Sequence, residues 1–142
     1  MRYMVLVKAT AESESGQLPE DPTVFEEMNR FNEQLVKAGV LLAGEGLHPS
    51  SQGARVRFDG QGGTTVTDGP FAETKELIAG FWILDVKSKE EALEWVRRAP
   101  MQPGEELEVR RVYEAEDFGD ALPEHIKEFE AELRAKAASQ RP

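Results

Sequence analysis

With 142 residues, 39% of them hydrophobic and 31% charged, the chain has the size and balance of one globular domain. Cysteine is absent, which excludes disulfides and thiolate chemistry, and a formal charge of −10 disfavours a phosphate backbone as partner, so no nucleic-acid function is expected. No apolar run approaches the roughly 18 residues of a membrane span, and the opening MRYMVLVKATAESES lacks the pattern of a cleaved leader; the chain reads as cytoplasmic, with no membrane partner.

In chain order, Arg2 to Lys8 is rich in Val, Leu, Met and Tyr on both parities, the pattern of a central strand covered on two sides. Ala9 to Glu20 is polar, with Ser13, Ser15, Gly16 and Pro19, and reads as a loop. Asp21-Pro22 then supplies a helix start and Gly39 a stop. Between them Val24, Met28, Phe31, Leu35 and Ala38 recur at helical spacing, with Glu26-Arg30 and Glu33-Lys37 as i,i+4 pairs. Val40 to Leu47 reads as a second strand whose Gly44 and Gly46 mark a bulge or the close approach of another backbone. His48-Pro49-Ser50-Ser51 ends it.

Arg55 to Asp59 and Thr64 to Thr67, joined by Gly60-Gln61-Gly62-Gly63, read as a hairpin that Asp68-Gly69-Pro70 terminates. Leu77 to Val86 is apolar on both faces and reads as a central strand. Ser88 and Glu91 form a capping box for a second helix with Ala92, Leu93, Trp95 and Val96 as its inner stripe, closed by Pro100 to Gly104. Leu107 to Tyr113 gives a last strand, and Leu122, Ile126, Phe129, Leu133 and Ala137 follow helical spacing in a C-terminal tail. The order β-α-β, hairpin, β-α-β, tail helix is that of an α+β protein with the ferredoxin-like split βαβ plan, interrupted by an inserted hairpin.

Candidate chemistry gathers around the hairpin's exit. Asp68-Gly69-Pro70-Phe71 has a structural reading, in which Asp caps a turn, Gly supplies permissive angles, Pro fixes the next step and Phe anchors the loop. The functional reading sets Asp68 at the mouth of a pocket, with Glu73, Lys75 and Glu76 on the adjoining loop. His48, beside Pro49 and near Glu45, is a second acid/base candidate because histidine titrates near neutral pH. Asp68, His48 and Glu73 are therefore the catalytic candidates, and Phe71, Lys75 and Glu76 the ligand-binding ones. His125 reads as solvated, Ser50 and Ser51 lack the context of a nucleophilic triad, and neither metal-ligand spacing nor a nucleotide loop is present, so no metal and no cofactor are expected.

The run TDGPFAETKELIAGF, residues 67 to 81, resembles the signature of the DGPF-motif branch of the YCII-related family, and GEGLHPS and EVRRVYE are similar to its flanking patterns. The resemblance spans residues 1–120 and leaves 121–142 as a helical tail. It implies a ferredoxin-like, dimeric α/β barrel. It also implies kinship with small enzymes that use a His and Asp pair, while its own branch is linked to sigma-factor-type transcription regulators. His48 and His125 are the only histidines, and neither falls on the histidine position of the wider group's pattern.

Two functional readings stand side by side. One is acid/base chemistry of isomerase or lyase type on a small molecule in a pocket near Asp68. The other is a non-catalytic ligand-binding or regulatory module. Because two helices cover only one face of a sheet whose main strand is apolar on both, a homodimer packed sheet to sheet is expected, its tail helix packing in cis or on the partner.

Overall fold

A computed structural model describes residues 1–142, which divide into two compact units, Met1–Val112 and Tyr113–Pro142. In the first unit the order is β1 (Arg2–Lys8), α1 (Ala11–Glu14), α2 (Thr23–Lys37), β2 (Leu41–Gly46), β3 (Ala54–Phe58), β4 (Thr64–Asp68), β5 (Ile78–Asp85), α3 (Lys89–Val96) and β6 (Leu107–Arg111). Four strands form an antiparallel sheet in the order β2-β5-β1-β6, while β3 and β4 pair only with each other as a separate ribbon. The fold is a mixed α+β arrangement of antiparallel sheet and helices.

The pairing decides which strand residues share a face. Tyr3 lies opposite Leu84, Val5 opposite both Trp82 and Val109, and Val7 opposite Gly80 and Leu107. Cross-strand partners point to the same side. These residues meet Phe31 and Leu35 of α2 and Ala92 of α3 in one core, with Met28, Trp95 and Val96 packed around it. Leu93, expected in this stripe, lies outside the cluster. The other face of the same strands carries Met4, Leu6, Phe81 and Ile83, all half-buried. It lacks the helices that cover the first face.

Local chemistry sets the element ends. The Asp21 carboxylate accepts from the Thr23 N–H at 2.9 Å, so the cap acts as expected although the helix begins one residue after Pro22. Lys37 reaches Glu33 at 3.0 Å on the exposed side. The Ser88 hydroxyl accepts from the Glu91 N–H at 3.1 Å, while Glu91's carboxylate accepts from Lys87 rather than from Ser88. The expected loop after β1 contains the short helix α1, whose start is closed by a reciprocal Thr10–Ser13 capping box. α3 ends at Val96, earlier than Pro100, its last turn bonding Arg97 back to Leu93.

The second unit holds a 3-10 segment, Ala115–Ala121, and α4 (Glu124–Ser139). Tyr113 and Phe118 stack within it, ring centroids 5.0 Å apart. Ile126, Phe129 and Leu133 of α4 are exposed. No helix of the chain is long and apolar enough to cross a membrane.

Phe31 is 5% exposed and stands edge-on to Trp82 at 5.5 Å between centroids. Truncating it leaves a cavity between helix and sheet, and Phe31→Ala is expected to cost about 3–5 kcal/mol in denaturant titration. A loss under about 1 kcal/mol would remove Phe31 from the core.

Candidate functional site

The chemistry-bearing loops are organised around one hydroxyl. Strand β2 hands on through Leu47, whose N–H donates to the Ala79 carbonyl at 2.8 Å, to His48, Pro49 and a 3-10 turn over Ser50–Gln52. On that turn the Ser50 hydroxyl donates to Glu14 at 2.5 Å and accepts from the Phe71 N–H at 3.0 Å. The Ser50 N–H donates to the other Glu14 oxygen at 2.9 Å. One serine thus ties the segment after β1, the segment after β2 and the segment after β4.

Each tie has a local cause. The capping box at Thr10 fixes α1 so that Glu14 stands one turn on, at its end, facing the Ser50 turn. Gly69 donates its N–H to the Gly53 carbonyl at 2.9 Å. A Cβ at Gly69 would overlap the carbonyl oxygen of Ser50, so this close approach requires glycine. The following peptide, Gly69–Pro70, is cis. Phe71 is half-buried, and the Arg55 guanidinium lies 3.8 Å from its ring centroid, a cation–π contact that joins β3 to the loop.

The paired hydrogen bonds also act on Glu14's titration. The Ser50 hydroxyl first, and then the Ser50 N–H, favour its ionised form and hold its carboxyl below the ordinary value of 4.5.

Asp68 closes β4 opposite Ala54 and is exposed. His48 is exposed two residues before Ser50. The Gly69–Ser50 approach therefore draws the His48 and Asp68 segments to one place. Glu73, Lys75 and Glu76 are exposed on and beside the 3-10 turn Thr74–Glu76 that leads into β5. The Lys75 carbonyl accepts from the Lys8 ammonium at 3.4 Å.

Sequence reasoning missed Glu14 and Arg55, and it treated Ser50 as a failed nucleophile. The Thr10-Ala11-Glu12-Ser13 capping signature was the available signal for α1, and nothing in the spacing links position 14 to position 50. Ser50's proton and a lone pair are both committed, so its hydroxyl works as a structural junction.

Two depressions are present elsewhere. One is a packing gap among Val5, Phe31, Leu35 and Trp82, too small for a water molecule. The other, of about 440 Å³, lies in the tail unit among Tyr113, Phe118, Glu130, Leu133 and Arg134. Neither is lined by Asp68, His48 or Glu73. No three His, Asp or Glu side chains are grouped so as to hold a metal ion.

A four-stranded antiparallel sheet with two helices on one face, and a polar junction at Ser50 that ties three connecting segments together, defines a small mixed α+β domain. The chain belongs to the YCII-related family: residues 1–116 match the YCII-related domain. It is 40% identical over 78 residues to an uncharacterized protein of Rhizobium meliloti, a match that covers 55% of this chain and 62% of that protein, so the chain spans less than two thirds of this relative's length. Among solved structures it is similar to 5-chloro-2-hydroxyhydroquinone dehydrochlorinase (TftG) from Burkholderia phenoliruptrix AC1100, in complex with 2,5-dihydroxybenzoquinone, with 14% identity, a TM-score of 0.42, and coverage of 82% of this chain and 98% of that one.

A carboxyl held below its ordinary value contributes stability that is full above that value and is lost as pH falls through the lower folded value. Amide-exchange protection at Ser50 and Phe71 is therefore expected to fall as pH drops below about 4.5. Glu14→Gln, which has no charge to lose, should flatten that dependence. An unchanged pH profile in the variant would sever Glu14 from the junction.

Proposed function

We propose that this chain is a YCII-like protein of the DGPF branch that performs acid/base chemistry, of isomerase or lyase type, on a small molecule bound beside the Asp68–Phe71 loop. Asp68, His48 and Glu73 are the acid/base groups in this reading, and Phe71, Lys75 and Glu76 contact the ligand. The observation that carries it is the convergence on Ser50: Glu14, Gly69 and Phe71 all engage one turn, which brings the His48 and Asp68 segments to a common place beside β5. Acid/base catalysis needs two such groups near one substrate, mounted on loops that a rigid scaffold holds.

The strand order β2-β5-β1-β6 supports a ferredoxin-like plan, and the half-buried apolar face of Met4, Leu6, Phe81 and Ile83 supports a homodimer packed through its sheets as a dimeric α/β barrel. One observation favours the second reading, a non-catalytic ligand-binding or regulatory module: Asp68, His48 and Glu73 are all exposed. NMR detection of product on incubation with a bound compound separates the two.

Thermal-shift screening of small organic acids and lactones is the first test. A binder should raise the wild-type melting temperature, and Asp68→Asn should leave the unliganded melting temperature within about 2 °C while abolishing the shift, since a surface substitution away from packing changes stability by only about 0.5 kcal/mol. If Asp68→Asn unfolds the protein, Asp68 serves the turn and the reading fails.

Assembly has its own measurement. Light scattering on a sizing column at micromolar concentration is expected to give about twice the 15.8 kDa chain mass, and a mass near 15.8 kDa would remove the dimer.

A further inference from the structure

Charge is sorted by face on the β3–β4 ribbon. From Ala54 to Asp68 the chain is neutral, with Arg55 and Arg57 against Asp59 and Asp68. Strand alternation, with Arg55 paired to Thr67 and Arg57 to Thr65, puts both arginines and both threonines on one side, while Asp68, opposite Ala54, lies on the other. Asp59 stands past the end of β3, where its carboxylate accepts from the N–H groups of Gln61 at 2.7 Å and Gly63 at 3.0 Å. One face therefore carries two guanidinium groups and two hydroxyls, and no acid of either strand shares it. Through Arg55 on Phe71, this face is turned to the chain's own body.

Neither guanidinium has an acid partner, although the chain carries 27 acidic residues. Arg97 and Arg110, by contrast, reach Glu94 at 3.0 Å and Glu108 at 3.4 Å. Glu14, on the junction that holds Phe71, has both carboxylate oxygens engaged by Ser50. Arg55 is nevertheless held in place. Its guanidinium carbon lies 3.8 Å from the Phe71 ring centroid, and Phe71 is fixed by its N–H on the Ser50 hydroxyl at 3.0 Å. At that separation the planar group stacks on the ring, since a nitrogen aimed at the ring would press into it. Stacking orients a guanidinium without using its N–H donors, which stay open along the edge of its plane. Such a group is preorganised for a planar oxyanion.

We propose that the small molecule bound beside the Asp68–Phe71 loop is a carboxylic acid in its ionised form, and that Arg55 recognises its carboxylate. Paired N–H groups of Arg55 donate to the two carboxylate oxygens, Arg57 adds a second positive charge two residues along the same face, and the Thr67 hydroxyl opposite Arg55 is a further donor. Net charge selects among oxyanions. In a molecule of charge −10 the overall field opposes a dianion such as a phosphate monoester more than a monoanion, and a carboxylate fits the planar fork. The inference rests on the ligand site proposed beside Phe71 and names the chemical class of its ligand.

Amide NMR titration of the full chain with sodium benzoate and with benzamide, its uncharged counterpart, tests the assignment. Benzoate is expected to shift the amide signals of Arg55, Thr67 and Phe71 saturably and to bind about tenfold or more tightly than benzamide, the scale of a charge-assisted hydrogen-bonded pair. Arg55→Gln should bring the acid down to the level of the amide. Arg57→Gln, which disturbs no ring contact, should weaken the acid by about threefold and leave the amide unchanged. A purely structural role for Arg55 in steadying Phe71 would weaken acid and amide alike, and that result overturns the proposal. So does equal affinity of the wild type for the two compounds, or the absence of a saturable benzoate shift up to about 20 mM, well past a millimolar Kd. The thermal-shift test of Asp68→Asn decides the underlying site separately. A binder lost in Asp68→Asn, with acid and amide bound equally, removes the carboxylate assignment and leaves the Asp68 site standing, whereas an Asp68→Asn chain that unfolds, beside a wild type that prefers benzoate through Arg55, removes the Asp68 site and leaves the arginine face as the anion site.

Discussion

Trp82 is the residue on which the rest of the sheet depends. It lies in β5, the strand flanked by β2 and β1, and points into the helix-covered face. Phe31 meets its ring edge-on, and its indole N–H donates to Asn32 at 2.9 Å, so one helix supplies both the apolar contact and the polar partner that a buried tryptophan needs. The neighbouring strand has to make room. A Cβ at Gly44 would come within 2.9 Å of the Trp82 ring, and glycine there lets β2 pair with β5 beside so large a side chain. Gly80 on β5 performs the converse service, because a Cβ there would press on the Glu45 carbonyl at 2.8 Å.

The polar counterpart is Ser50. Its bonds join residues 36 and 21 positions apart in sequence, and each partner is placed by a separate device: a capping box for Glu14 and a glycine contact for the Phe71 loop. Such a junction orders loops that have little apolar burial of their own. Charge-assisted bonds to a carboxylate are the stronger kind, and they are a reasonable means of holding a polar site rigid at the surface.

The sequence made the periodic parts legible. α2 was visible in the spacing of Met28, Phe31 and Leu35, and β5 in its two apolar parities, because burial against a layer imposes those periods. The same reasoning marked Gly44 for a bulge or the close approach of another backbone, whereas what crowds it is a side chain, the indole of Trp82. Leu93 was misassigned because α3 is only two turns long, and a stripe so short does not fix which residue turns inward. The junction at Ser50 was illegible for a different reason. Side-chain bonds across tens of residues leave no period, and a lone Glu in a polar loop looks like any solvated acid. The hairpin was correctly read as β3 and β4, yet its pattern could not say that the arginine face would be the engaged one.

The two anchors are mechanically one system. β5 carries Trp82 in its middle, and just before and at its first residues it receives the Ala9 N–H on the Leu77 carbonyl and the Leu47 N–H on the Ala79 carbonyl. Those bonds bind the segments that bear Glu14 and Ser50 to the most firmly packed strand. The loops that carry His48 and Asp68 therefore extend from fixed points, although their own residues lie in water. Side chains at the rim of a stiff sheet can be held in register without being buried, which keeps them reachable. What such a rim lacks is a wall to exclude water, and a single copy of the first unit already commits its helices to the opposite face of the sheet.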